Sequence, residues 1–198
     1  MRQNNKFMKN ILFTVVLLFS LSVSAQKPCE ISTNITDSIG TYKATKEYLI
    51  YEKNFAEKSS YIFASLILAD GIPALTIQSI EKSKDFIKAI CFDKNSKIYL
   101  QLMDGNIITF YHDDSEDCGT LLRDENQMNN RVLSGSFIIR KENFDALKKS
   151  PVSLMRIKYG TEMVDYIIKK DLKSELDGAA YEPEKYFMDY LHCIENAN

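Results

Sequence analysis

The chain has 198 residues, with 25 Lys and Arg against 27 Asp and Glu, and a formal net charge of −2. This length fits one domain, and 45% hydrophobic residues are enough to build a sizeable core,. Seven Gly and four Pro exclude collagen-like and low-complexity chains, and the near-neutral charge gives no reason to expect a nucleic-acid partner,.

The first 25 residues are predicted to be a secretory signal peptide. Arg2, Lys6 and Lys9 precede an apolar run over residues 11–21, and small residues lead up to Ala25,. The apolar stretch is shorter than the ~20 residues that a membrane-spanning helix needs, so we expect cleavage after Ala25 instead of a membrane anchor. Translation begins at Met1 or at Met8; the sequence leaves this open. Removing the three basic residues leaves 22 of the 25 basic and all 27 acidic side chains. This acidic balance disfavours anionic partners.

After a polar lead-in over residues 26–40, β-branched and aromatic residues predict a series of strands. These lie at residues 47–52, 60–68, 74–82 and 86–92,. The second of them is apolar at both odd and even positions. We therefore expect it to be a central strand that is covered on both faces.

A β-hairpin is predicted at residues 98–111. Asp104 and Gly105 separate two alternating strands, and an Asp-Gly pair suits a type I′ turn because both central positions need a positive φ,. That turn would place Ile98 opposite Tyr111.

The polar segment that follows, residues 112–130, is predicted to be irregular. It holds the densest group of potential ligands in the chain: His112, Asp113, Asp114, Glu116 and Asp117. Carboxylates of this kind could bind Ca²⁺, but the alternation and the glycine of a calcium-binding loop are missing. We interpret the segment as a solvated loop.

Strands and helices alternate in the last third of the chain. A strand at residues 132–140 precedes a two-turn helix at 141–149, which ends before Pro151. A second hairpin is predicted from strands at residues 154–159 and 163–169.

The C-terminal segment is predicted to be an amphipathic helix that packs on the sheet. Pro183 lies between two glutamates. Its fixed φ matches that of a first helical turn, and the negative charges of the glutamates stabilise the positive end of the helix dipole. Phe187, Leu191 and Ile194 then follow on one face,.

All four cysteines, Cys29, Cys91, Cys118 and Cys193, follow the predicted cleavage site. An even number of cysteines in an exported chain predicts two disulfides, whereas a metal site would need closely spaced pairs, which are missing here,. Three pairings are possible, and the sequence does not decide among them. We prefer Cys91 with Cys118 and Cys29 with Cys193; the second bridge closes nearly the whole exported chain, for which loop entropy predicts ~4–5 kcal/mol of stabilisation.

No arrangement of residues in the sequence predicts a catalytic centre. His192 precedes Cys193, but adjacent helical side chains point about 100° apart, so we do not expect a nucleophile and its base. There is no G-x-S-x-G motif and no glycine-rich phosphate loop. Two histidines supply few general bases, although a pair of carboxylates could serve instead.

Eleven tyrosines are the other notable excess. In strands, tyrosines fill cores and cross-strand pairs more often than they line a ligand groove. Six of them alternate with predicted core positions, so some must face outward: Tyr48, Tyr51, Tyr99, Tyr111, Tyr159 and Tyr166. An outward tyrosine-rich surface would suit the binding of a protein or a glycan.

The Ser24-Ala25-Gln26 junction, the Lys-, Asn- and Ile-rich composition and the run YFMDYLHC at residues 186–193 resemble small exported proteins of Bacteroidota. The resemblance implies a periplasmic or secreted location. It carries over no functional residue.

Together these patterns predict a signal peptide at residues 1–25 and a single β-rich domain at 26–198. The fold class is α+β: a mostly antiparallel, sandwich-like sheet with one short internal helix and a C-terminal amphipathic helix. We expect a non-enzymatic binding module of the cell envelope, with an envelope protein or a glycan as its partner and no cofactor, metal or nucleic acid. The alternative is a hydrolase that uses the carboxylates from Asp113 to Asp117. The oligomeric state stays open.

Overall fold

The computed structural model describes residues 27–195, so the predicted signal peptide and its cleavage site lie outside the described residues. Within this range the chain forms thirteen β-strands and two short α-helices. The strands are β1 (Ile31–Thr36), β2 (Thr41–Thr45), β3 (Tyr48–Phe55), β4 (Lys58–Ala69), β5 (Ile72–Ser83), β6 (Lys97–Leu102), β7 (Ile107–His112), β8 (Thr120–Arg123), β9 (Asn129–Ile138), β10 (Val152–Lys158), β11 (Met163–Ile167), β12 (Leu172–Lys173) and β13 (Ala180–Tyr181). The helices are α1 (Phe144–Lys149) and α2 (Tyr186–Tyr190).

Eleven of these strands form one antiparallel sheet. Its order is β1-β2-β4-β5-β9-β7-β6-β10-β11. Strand β3 continues from β2 along the same edge of β4, and β8 follows β7 along the edge of β9. Strands β12 and β13 form a separate ribbon. The predicted α+β class with a mostly antiparallel sheet is confirmed.

The sheet folds over on itself around one main core. Buried residues of β4, such as Ile62 and Leu66, belong to the same hydrophobic cluster as Met155 of β10, although four strands separate β4 from β10 in the sheet. At the open ends, the ring of Tyr51 on β3 meets that of Tyr166 on β11 edge to face, with centroids 5.0 Å apart. Contact between the two halves gives the sheet its sandwich-like character.

The helices fill the inside of the folded sheet. Helix α1 lies within the predicted helix at residues 141–149, and its Phe144 and Leu147 are buried. The C-terminal helix is present but is broken into a 3₁₀ turn (Pro183–Lys185), α2 and a second 3₁₀ turn (Leu191–Ile194). Phe187 and the two end residues of the second turn are all buried, so the predicted apolar face does pack inward.

A smaller hydrophobic cluster lies on the opposite face of β3 and β4. There Leu172 of β12 packs against Leu49 and Tyr61, and Tyr181 of β13 is partly buried beside them. The β12–β13 ribbon thus covers the outer face at this end of the sheet, and β4 is apolar at both odd and even positions because both of its faces are covered.

Both cysteine pairs preferred from the sequence are disulfides in the structure. Cys29–Cys193 joins the segment before β1 to the C-terminal helical segment. Cys91–Cys118 joins the segment before β6 to the loop after β7. Disulfides of this kind are typical of oxidising compartments outside the cytoplasm.

The β6–β7 hairpin is present, but its predicted register is wrong by one residue. Lys97, and not Ile98, lies opposite Tyr111. The loop has three residues, 103–105, and within it only Gly105 has a positive φ, of 90°. A three-residue loop that ends on one left-handed glycine joins antiparallel strands without requiring a positive φ at the aspartate.

The other differences from the predicted strands occur where apolar and polar residues do not alternate regularly, so the sequence gives no sign of strand pairing. The predicted strand at residues 86–92 is wrong: the segment is irregular, and Phe92 alone forms a bridge, with Asp117. Strands β1 and β8 lie where polar or irregular chain was predicted, and β2 lies between the predicted lead-in and the first predicted strand, where no element was predicted. Strands β1 and β8 are largely exposed, so backbone pairing with a neighbour defines them and no buried face marks the sequence,.

Candidate functional site

Four neighbouring strands, β7, β6, β10 and β11, expose large apolar side chains on the outside of the folded sheet. Alternate residues such as Ile98 and Ile157 point into the core, so the residues between them must face outward,. We call the outward residues the outer patch: Tyr99, Ile107, Tyr111, Leu154, Met163 and Ile167. Ile107, Met163 and Ile167 are 68%, 60% and 72% exposed.

The register aligns these side chains in rows across the four strands. Ile107 lies opposite Gln101, Gln101 opposite Leu154, and Leu154 opposite Ile167. An open cleft of about 280 Å³ lies over this surface, and its walls include Tyr99 and Met163. The outer patch is therefore a continuous surface and not a set of isolated side chains.

A second row of the patch is basic in the middle, because Lys97 and Lys158 lie between Tyr111 and Met163. Lys97 and Lys158 lie directly opposite each other on β6 and β10, which is an unfavourable pairing of like charges,. Within residues 27–195 neither lysine forms a salt bridge. Lys97 and Arg140 both lie over the ring of Tyr111, at 5.2 and 4.8 Å from its centroid.

One ion pair lies within the patch. Arg156 Nε and Nη2 donate to the two carboxylate oxygens of Asp165, at 2.5 and 2.7 Å. This two-point contact holds the pKa of Asp165 below its usual value. Asp165 is the only acidic side chain on the outward positions of β6, β7, β10 and β11. Both of its carboxylate oxygens already accept hydrogen bonds from Arg156.

The tyrosines divide between the two faces of the sheet. Tyr99 and Tyr111 face outward, as the sequence required of some of them. Tyr159 and Tyr166 are buried, and their hydroxyls share a hydrogen bond of 2.8 Å. Burial raises the pKa of Tyr159 to about 12, and that of Tyr166 further.

Tyr48 lies in a separate aromatic cluster with rings from β13 and the C-terminal helix. Its ring meets that of Tyr181 edge to face at 5.0 Å, and those of Tyr186 and Tyr190 at 5.3 Å. Its hydroxyl accepts a hydrogen bond from the backbone N–H of Glu182. These tyrosines pack against one another and against the two hydrophobic clusters of the core.

A second cleft, of about 400 Å³, lies between β3 and β11 and is lined by Tyr51, Glu81 and Asp165, among others. Burial raises the pKa of the Glu81 carboxyl, to which Ser60 Oγ donates a hydrogen bond. An acid with a raised pKa could act as a general acid if a free carboxylate lay opposite. The other carboxylate of this cleft is Asp165, whose oxygens are bound to Arg156, so no acid–base pair forms here.

The acidic loop does not form a converging site. Asp113 Oδ1 accepts hydrogen bonds from the backbone and side chain of Ser115, and Asp117 Oδ1 accepts one from the backbone of Gly119. His112 ends β7, and its ring is buried against Phe92 and Phe137, with Nε2 at 3.7 Å from Asp113 Oδ1, too far for a hydrogen bond. The hydrolase alternative gains no support from these contacts.

Across residues 27–195, only one group of three His, Cys, Asp or Glu side chains lies within 4.8 Å: Cys29, His192 and Cys193. His192 Nε2 is 3.2 Å from Cys29 Sγ and 3.7 Å from Cys193 Sγ. Sequence adjacency joins His192 only to Cys193; Cys29 comes from the other end of the chain and reaches the ring only in the folded structure.

Comparisons with models of protein families, with curated protein sequences and with solved structures gave no match to the chain. None of the helices in residues 27–195 has the length and apolar character that a membrane span needs. The surface geometry is therefore the basis for inferring a function.

Proposed function

We propose that this protein is an exported, non-enzymatic binding module that docks another envelope protein through its outer patch. The observation that carries the proposal is the exposure of Ile107, Met163 and Ile167 on one four-stranded surface, where Ile107 and Ile167 stand at the two ends of a row that passes through Gln101 and Leu154. Apolar surfaces of this kind, bordered by polar residues, mark interaction sites in soluble domains. Aromatic residues, Met and Arg, which are enriched at interfaces, all occur in this surface.

The charges around the patch favour a partner with carboxylates near its own apolar centre. Lys97 and Lys158 repel each other in the free protein, and acidic groups of a partner would relieve that repulsion,. The chain as a whole carries more acidic than basic side chains, whereas the row through Lys97 and Lys158 is basic. An acidic glycan would meet the lysines but would leave the apolar row uncovered, and for this reason we favour a protein.

Export through a signal peptide is part of the same proposal. The basic, apolar and small-residue pattern before Ala25 and the two disulfides support it,. Sequencing the N-terminus of protein recovered outside the cytoplasm should give Gln26 as the first residue. Recovery of the full chain in the cytoplasm would contradict the proposed location.

The docking surface is tested by paired surface variants. Partners are captured from the envelope fraction by crosslinking, identified by mass spectrometry, and then titrated in purified form by calorimetry. The variant Ile107→Asp/Ile167→Asp should bind about tenfold more weakly or worse, because it places charge in the apolar row. The control Ile39→Asp changes a side chain that is 91% exposed and lies in the β1–β2 turn, and it should bind within about twofold of the wild type,.

Charge reversal tests the expected chemistry of the partner. Lys97→Glu/Lys158→Glu should weaken binding and reduce its dependence on salt concentration, because the carboxylates of the partner lose their counter-charges. If the outer-patch variants bind as tightly as the control, the proposed docking surface is wrong. If light scattering shows that the protein alone forms dimers that only the outer-patch variants disrupt, the occupant is a second copy and the proposed partner is wrong.

A further inference from the structure

The Cys29–Cys193 disulfide has an imidazole against its sulfur atoms. His192 Nε2 lies 3.2 Å from Cys29 Sγ, within hydrogen-bonding distance for sulfur,. The other ring nitrogen, Nδ1, is buried and has no hydrogen-bond partner among the described residues. No carbonyl or carboxylate thus fixes the ring, and its polar contacts are with the two sulfurs.

The two halves of this disulfide differ in access. Cys29 belongs to the solvent-accessible segment before β1, whereas Cys193 is only 2% exposed in the 3₁₀ turn that ends the C-terminal helix. A thiolate from another molecule can therefore approach Cys29 but not Cys193. The imidazole lies beside the sulfur that would leave as well as beside the one that would be attacked.

We propose that Cys29–Cys193 is a site of thiol–disulfide exchange with a dithiol partner, in which His192 stabilises each departing sulfur. This activity is separate from docking through the outer patch. A thiolate leaves faster when a neighbouring donor stabilises it, and an imidazole is one of the groups that do so in reactive cysteine sites.

The exchange runs in two steps. The first thiolate of the partner attacks Cys29 Sγ, the S–S bond breaks, and its electron pair stays on Cys193 Sγ, to which His192 Nε2–H donates. The second thiolate of the partner then attacks the partner's own sulfur in the mixed disulfide. The bond to Cys29 breaks, and Cys29 Sγ leaves as a thiolate beside His192 Nε2. The partner ends as a disulfide. Cys29 and Cys193 end as thiols and take up the two protons that the thiols of the partner released.

The other disulfide provides a control within the same molecule. Cys118 is also accessible, but within residues 27–195 no imidazole is hydrogen-bonded to Cys91 or Cys118, since neither ring nitrogen of His112 has a hydrogen-bond partner there. Exchange at Cys91–Cys118 should therefore not depend on a histidine.

The test follows the reduction of each disulfide in the native full chain. Dithiothreitol is added, samples are quenched by alkylation, and peptide mass spectrometry follows each cysteine pair separately. The variant His192→Gln should slow reduction of Cys29–Cys193 on the order of tenfold and leave Cys91–Cys118 unchanged. Glu125→Gln, a charge-neutralising change at an exposed side chain away from both disulfides, should leave both rates unchanged.

Two further results keep the test decisive if His192→Gln alters folding. In concentrated urea the wild type and the variant should reduce at nearly equal rates, because unfolding removes the contact between the imidazole and Cys29 Sγ. A native rate for Cys29–Cys193 that is the same in wild type and His192→Gln would overturn the proposal. Equal slowing or equal acceleration of both disulfides would also overturn it, because the variant would then act on opening of the whole fold.

Discussion

The inner and outer faces of β6, β7, β10 and β11 use similar residues in opposite ways. Ile98 and Ile107 belong to the same hairpin, yet Ile98 is 0% exposed in the core and Ile107 is 68% exposed on the outer patch. Tyr159 at the end of β10 is likewise buried with a bonded hydroxyl, whereas Tyr111 on β7 lies under two cations at the surface. The same side chain therefore contributes to stability on one face and is free to contribute to binding on the other.

The largest expected effect is the difference in stability between variants of Ile98 and of Ile107. Ile98→Ala should lower the free energy of unfolding by about 2–5 kcal/mol, because it removes a fully buried side chain and leaves a cavity,. Ile107→Ala should change it by no more than about 0.5 kcal/mol, because that side chain is already in water. Urea denaturation followed by circular dichroism measures both. Equal losses in the two variants would show that the outer patch is covered in the free protein.

An intermediate effect on stability should distinguish the buried Tyr159 from Tyr111 at the surface. Tyr159→Phe leaves the buried hydroxyl of Tyr166 without its partner, which should cost about 1–3 kcal/mol,. Tyr111→Phe removes a hydroxyl at the surface and should stay within about 0.5 kcal/mol of the wild type,. Thermal and urea unfolding of the two variants side by side test this. A neutral Tyr159→Phe would mean that water or another group satisfies Tyr166.

The smallest expected effect concerns two carboxylates whose ionisation changes the free energy of unfolding in opposite directions. Burial raises the pKa of Glu81 on the inner face, so its ionisation destabilises the fold as pH rises through the unfolded value of about 4.3 toward the folded one,. Arg156 lowers the pKa of Asp165 on the outer face, so its contribution is present above about pH 3.9 and is lost as pH falls through the folded value,.

Replacing each carboxylate separates these contributions. Compared with the wild type, Glu81→Gln should gain stability at neutral pH and lose that gain toward about pH 4, whereas Asp165→Asn should lose stability at neutral pH and match the wild type in acid. Unfolding curves at several pH values test this, with the double variant as the check that the two sites act independently. Two single variants that shift stability in the same direction at neutral pH would refute the contrast.

Much of the fold could be predicted because alternation and helical spacing are local. The buried face of β6, the packing of Phe187, Leu191 and Ile194, and the α1 helix all follow from which residues share a face. Strands β1 and β8 were missed because they are edge segments with few buried side chains, defined by backbone pairing alone. The hairpin register was wrong by one because Asp-Gly suits two loop lengths, and pairing along the whole strands decides between them.

The candidate site was predictable only in part. Some outward tyrosines followed from alternation, and Tyr99 and Tyr111 are such residues. The apolar row through Ile107 and Ile167 could not be predicted, because β7 and β11 lie on either side of β6 and β10 only in the assembled sheet.

What the sequence determined by itself is the set of side chains that share a face, the likeness of the first 25 residues to a signal peptide and the presence of enough cysteines for two disulfides. Each of these depends on neighbours within a few residues or on a count. Only the tertiary structure decided which faces are covered, and it brought Cys29 and His192 within 3.2 Å from opposite ends of the chain. The physical reason is that burial and long-range contact depend on how the sheet folds over, and local propensity carries no information about that closure.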